Sequence, residues 1–333
     1  MAVNQPPRVY LDQNVWIALS KAHYGRDDTG KYETPLKAIV AASNADLIRV
    51  PLSFVHMMEV CASGDMERRK RLASFMIKVS RQYAIFPCTK VWCEEALEVA
   101  ARWLGVDIQW VNPELFVQQG LWYAFGIAPI FKGGHSDEIA LIENAIRSDE
   151  MAVKMLSEWM ASDLGRKLRA KSEVEAAFLD DIRHRQLQSQ GAEGKRRENT
   201  LMIARQMLLP IAEAECQKFG IQPAKLHEKI KSEDDLIAFA HDVPSFDVLL
   251  TLVLARDEEA QRKIDRNDIR DMAFLATAIP YCDIVVAERY FGNLAKRTGL
   301  DRKYGCTILT NATELMNVLP QPVLFQPPAV GNA

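Results

Sequence analysis

The sequence predicts a parallel α/β sheet covered on both faces, made from the two ends of the chain and interrupted by a long helical segment. Three observations predict it. Short β-rich runs alternate with single helical patterns through the first quarter of the chain, and the same alternation returns near the end. Between them, from about residue 105 to residue 243, only helical periodicity is legible.

Taken in order, "RVYLD" reads as a strand and "QNVWIALSKA" as a helix for which Asp12 is a candidate N-cap. "PLKAIVAASNA" is helical and "LIRVP" is a second β-rich run. "SFVHMMEVCA" has helical spacing with Ser53 as its cap, and the charged stretch "MERRKRLASFMIKVSRQ" is helical too. "YAIFP" gives a third strand, followed by the helix "KVWCEEALEVAARWL". The middle segment carries long patterns such as "NTLMIARQMLLPIAEAECQKFG", with no convincing strand, and is expected to be all-helical. The rhythm resumes with the helix "NDIRDMAFLATAIP", the strand "CDIVVAE", the helix "RYFGNLAKRTG" and the last strand "CTILT". The expected division is therefore an α/β core over 1–104 and 244–320, a helical insertion over 105–243, and an irregular Pro-rich tail over 321–333.

Composition narrows the class. The chain has 333 residues, 48% hydrophobic and 26% charged, which is globular composition. A net charge of −3 gives no global attraction to nucleic acid, although 165–205 holds ten Lys/Arg against six Asp/Glu. The six cysteines show no C-x-x-C pair or zinc-like rhythm, so reduced thiols in a cytoplasmic protein are expected. No apolar run approaches the roughly 18 to 20 residues that a membrane span needs, and "MAVNQPP" has neither a basic nor an apolar region of a leader.

The acidic residues carry the chemistry. In open parallel sheets, ligands bind outside the carboxyl ends of the strands. Asp12 closes the first strand there, and Glu288 ends "DIVVAE" at the same edge. Glu59 lies in the second turn of the helix after "LIRVP", and Asp268 and Asp271 share a face at the start of another helix. Asp283 precedes its strand and belongs to the opposite edge. Carboxylates brought together repel one another and raise each other's pKa unless a cation sits among them. The natural guest is Mg²⁺ or Mn²⁺, which takes oxygen ligands and suits phosphoryl chemistry. Each acid also has an ordinary reading: Asp12 as a helix cap, and Asp268 and Asp271 as partners of a helix dipole.

On these residues the chain resembles the PIN-domain ribonuclease family. The resemblance lies in "YLDQNVWI", in "PLSFVHMMEV" with Glu59, in "YAIFPCTKVWCEEALEVAARWL", and most specifically in "DMAFLATAI", which fits the family's D-x-x-x-x-A-T-A helix and precedes "DIVVAERYF". It covers roughly 8–104 and 262–312. It implies a doubly wound α/β/α sandwich, with Asp12, Glu59 and Asp271 as metal ligands and Asp268 as a helper. Glu288 stands where the family more often has Asp, and the large insertion has no counterpart in the small PIN toxins. The implied activity is Mg²⁺- or Mn²⁺-dependent hydrolysis of RNA phosphodiesters, in a family whose members include toxins and phage-defence proteins. An antitoxin or defence-system protein is the partner so implied.

Other residues are candidates for substrate contact. Asn14 could bond a phosphate or satisfy its own helix turn; His56, one turn before Glu59, could orient Glu59, touch substrate or be structural. The D-x-N spacing at Asp12 argues against a D-x-D phosphatase, because an amide cannot act as general acid. Arg166, Lys167, Lys195, Arg196 and Arg197 could contact phosphates or be solvated helix faces. The expectation is a metal-dependent endoribonuclease. A catalytically silent scaffold binding RNA or protein, and a DNA nuclease of related fold, are the rivals.

Overall fold

The computed structural model describes residues 5–62, 64–108, 116–126, 148–158, 192–259 and 266–320. The expected Pro-rich tail, Arg166 and Lys167 lie outside them.

The chain opens with β1 (Val9–Leu11), α1 (Gln13–His23), α2 (Glu33–Asn44), α3 (Phe54–Ala62) and α4 (Met66–Ser80). Next come β2 (Tyr83–Ile85), α5 (Cys88–Leu104), β3 (Val117–Gln119) and α6 (Asp149–Glu158). α7 (Ala192–Ile203) runs through a π-helical turn at Ala204–Leu208 into α8 (Leu209–Lys218), followed by α9 (Pro223–Lys229), α10 (Glu233–Asp242) and α11 (Pro244–Asp257). The last part holds α12 (Arg266–Tyr281), β4 (Ile284–Val286), α13 (Arg289–Arg297), α14 (Leu300–Tyr304) and β5 (Thr307–Leu309).

The first and last parts of the chain meet in one sheet. β1 pairs in parallel with β4, and β4 with β5, so the spatial order is β1-β4-β5. The "LIRVP" run joins this sheet only through an isolated bridge from Arg49 to Arg8, and Leu52, just beyond it, bridges to Ala84 of β2. The all-helical expectation for the insertion is corrected at β3, which pairs antiparallel with β2 through Val117 and Ile85. Three residues that stop at Gly120 carry too little alternation to be read as a strand.

Side-chain alternation divides the interior in two, because successive strand residues face opposite sides. Val9, Leu11, Ile284, Val286 and Leu309 pack with α1, α2 and α4. Tyr10, Val285 and Ile308 face the other way, onto α5, α8, α11, α12 and α13. The described helices between 192 and 242 therefore share the core of the strands. Glu95 on α5, 1% exposed, shows how closely: both its oxygens accept from the Ser245 amide of α11 (3.1 and 3.0 Å), and the Ser245 and Tyr281 hydroxyls also donate to it. Among the described residues, no single helix is long and apolar enough to cross a membrane. All six cysteines are free thiols.

Candidate metal centre

Asp12 is a cap and a cavity residue at once. Its Oδ1 accepts from the Asn14 amide at 2.7 Å, opening α1, while its own amide donates to Val286 O at 2.8 Å and holds it beside the end of β4. Two residues past β4 stands Glu288. Chain direction and pairing register thus bring two acids, far apart in sequence, to the carboxyl edge of one sheet.

Glu59 reaches the same edge because α3 is bolted to β1. His56, 1% exposed, accepts the Ser53 amide on Nδ1 (3.0 Å), so its Nε2 carries the proton and donates to Leu11 O at 2.8 Å. Burial lowers the imidazole to about 4, so it stays neutral. The Tyr10 hydroxyl bonds Ser53 Oγ at 2.7 Å and reinforces the joint. Both ring nitrogens of His56 are thus engaged within the fold. Asp271 comes from α12, in the second turn.

Asp12, Glu59, Asp271 and Glu288 together line a cavity of about 500 Å³. Asp12 is 3% and Asp271 8% exposed, Glu59 is half-buried, and Glu288 is open to solvent. Burial pushes Asp12 up to about 6, with Glu288 adding repulsion against the lowering effect of the Asn14 bonds. Burial and then Asp12 push Glu59 up to about 7, opposed by Arg270. Asp271 is raised well above the carboxylate range by burial, by its three acidic neighbours and by a hydrogen bond with Glu288. These are the marks of a crowded negative site.

The donors are all hard oxygens, the set that Mg²⁺ or Mn²⁺ takes. Among the described residues, however, no three acidic, His or Cys side chains already stand at ligation spacing. The chemistry of the donor set fits such a cation, and closing the set requires the carboxyls to lose protons and draw together.

The other sequence candidates fall into distinct places. Asp268 is 3% exposed and does not line the cavity. Asn14 does line it, and its amide and side chain both bond Asp12 in the first turn of its helix. Lys195, Arg196 and Arg197 do not line it. Arg196 pairs with Glu258 at 2.7 Å, and Arg197 with Asp234 at 2.6 Å and Glu233 at 3.5 Å, which ties α7 to α10 and the end of α11. Arg196 and Arg197 thus stand in surface ion pairs. Asp283 lies at the opposite edge, accepting from the Arg8 amide at 2.7 Å.

The sequence did not single out Gln13, Arg68, Arg69 and Arg270, which also line the cavity. One signal for Arg68 and Arg69 was available: "MERRKR" puts cations into the first turns of a helix, against its dipole.

No family model matches this chain, and no curated protein and no solved structure matches it either.

Proposed function

We propose that this chain is a metal-dependent endoribonuclease of the PIN type. One observation carries the reading: Asp12, Glu59, Asp271 and Glu288, from four separate segments, line a single cavity at the carboxyl edge of a parallel sheet. The "DMAFLATAI" helix, which supplies Asp271, is also the stretch most similar to that family.

Asp12, Glu59 and Asp271, with Glu288 at the mouth, would hold Mg²⁺ or Mn²⁺. Such an ion supplies Lewis acidity toward the phosphodiester and acidifies water at neutral pH. The chain's own work is positional. Asn14 and the Val286 carbonyl hold Asp12 in place through side chain and backbone respectively. His56 keeps α3, and Glu59 with it, against β1. Burial, its acidic neighbours and its hydrogen bond with Glu288 favour the protonated form of Asp271, so this carboxyl would take a cation only as it gave up a proton. A toxin or phage-defence role, with an antitoxin or defence-system partner, is the biological setting proposed with it.

Asp12→Asn keeps the cap and removes the charge, so it should abolish RNA cleavage while leaving circular dichroism unchanged. Wild-type cleavage should also stop in EDTA and return with Mg²⁺ or Mn²⁺. Cleavage equal in EDTA and in Mg²⁺ would contradict the metal. RNA binding with no cleavage across a broad substrate panel would favour the silent scaffold, and preferential digestion of single-stranded DNA would move the activity to that polymer.

A further inference from the structure

We propose that Arg68 and Arg270 clamp the phosphates of the polynucleotide strand that enters the acidic cavity. The proposal rests on the nuclease reading and adds the groups that would hold its substrate.

The need for such a clamp is electrostatic. A strand carrying one negative charge per phosphate must approach a wall of four carboxyl groups. A divalent ion offsets charge at the reacting phosphate, while its neighbours along the strand still face the acids. Cations in the cavity wall have to supply that offset, and the described lining contains three, Arg68, Arg69 and Arg270.

Arg69 is engaged within the fold: its Nη1 donates to Cys61 O at 3.5 Å and its Nη2 lies 3.4 Å from Met66 Sδ. Arg68 differs. It is exposed at the N-terminal turn of α4, where its amide serves the Asp65 cap at 3.2 Å, and among the described residues no ion pair engages its guanidinium. A cation at that end of a helix opposes the macrodipole. A local rule broken with no local gain points to function. Arg270 lines the same cavity from α12, half-buried and adjacent in sequence to Asp271, and its charge falls on Glu59. Among the described residues its buried Nε meets no acceptor.

Gln13 adds an independent sign that the cavity is built for a polar guest. It lines the cavity, is 8% exposed, and among the described residues its Oε1 meets no donor. Buried polar groups are ordinarily paired. A cavity wall holding the Gln13 acceptor and the Arg270 Nε donor, neither matched among the described residues, suits a ligand with both phosphates and hydroxyls. A guanidinium fork meets two phosphate oxygens at once, which a lysine cannot reproduce.

The test measures binding of fluorescein-labelled single-stranded RNA to Asp12→Asn protein in Mg²⁺ by anisotropy, with and without Arg68→Gln or Arg270→Gln, across a salt series. Each arginine change should weaken binding about ten-fold and lower the slope of log affinity against log salt by about 0.7. Arg68→Lys should recover the salt slope and only part of the affinity. In cleavage-competent protein, Arg68→Gln should raise KM more than it lowers kcat. Unchanged affinity and slope in both glutamine variants, with Asp12→Asn still abolishing cleavage, would overturn the clamp and leave the nuclease standing. Wild type that neither binds nor cleaves RNA better than Asp12→Asn would bring down both.

Discussion

Asp12 shows how one side chain can serve two ends. A carboxylate at the close of a strand is the ordinary N-cap of the next helix, and it does that work through the Asn14 amide. The same carboxylate lines the cavity, so the structural and functional readings are compatible. Glu95 is the contrasting case, a buried acid remote from any proposed chemistry. Burial raises it to about 7 against the lowering effect of its bonds from Ser245 and Tyr281, with Glu98 adding repulsion. An acid whose pKa is higher folded than unfolded binds more protons in the folded state, so stability is lost as pH rises from about 4.5 through about 7. The loss is on the order of 3 kcal/mol. Glu95→Gln should therefore flatten the decline in urea midpoint between pH 5 and pH 8 and be no more stable than wild type at pH 5. Identical slopes for the two proteins would show that Glu95 titrates alike folded and unfolded.

At the scale of elements, the strands are only three residues long, and the helices position them. α13 crosses close to the end of β5. A Cβ built on Gly292 would stand 2.7 Å from Thr310 Cγ2 and 3.4 Å from Ala287 Cβ. Alanine is ordinarily better than glycine inside a helix by about 1 kcal/mol. Here the clash outweighs that gain, because a β-branched threonine has little freedom to turn away. Gly292→Ala should destabilise the protein by about 1–3 kcal/mol in thermal or urea unfolding. Adding Thr310→Ser removes the offending methyl and should restore most of the loss. No recovery in the double variant would place the strain elsewhere. The helix pattern of α13 was legible in "RYFGNLAKRTG", but the meaning of its glycine was not, since it depends on a strand that approaches from outside the helix.

For the whole molecule, the decisive feature is one core: buried residues of the expected insertion, such as Leu208 and Phe239, cluster with those of α11 and with Tyr10, Val285 and Ile308 of the strands. Phe246, fully buried on α11, packs edge-to-face on Trp92 of α5 with ring centroids 5.9 Å apart. Asp247 beside it accepts from Lys303 Nζ at 2.8 Å and the Tyr304 hydroxyl at 2.7 Å, which draws the C-terminal α14 onto the same helix. Phe246→Ala should cost about 3–5 kcal/mol. It should shift a single unfolding transition, with tryptophan fluorescence and circular dichroism moving together. Two separated transitions, one insensitive to the substitution, would mean that the described helices form a unit apart from the sheet.

Local pattern determined a good deal of this protein. Strand–helix alternation at both ends, the caps at Asp12 and Ser53, and the acids at strand ends could all be read from residue order, because each depends on neighbours a few positions away. Tertiary structure decided the rest. β3 exists because β2 offers it an edge, His56 is held because Leu11 O lies 2.8 Å from its ring, and Arg196 and Arg197 are engaged by Glu258 and by acids of α10. Arg68, Arg270 and Gln13 belong to the cavity for the same reason. A side chain's partners across the fold are set by packing between elements distant in the chain, and no periodicity within one element encodes them.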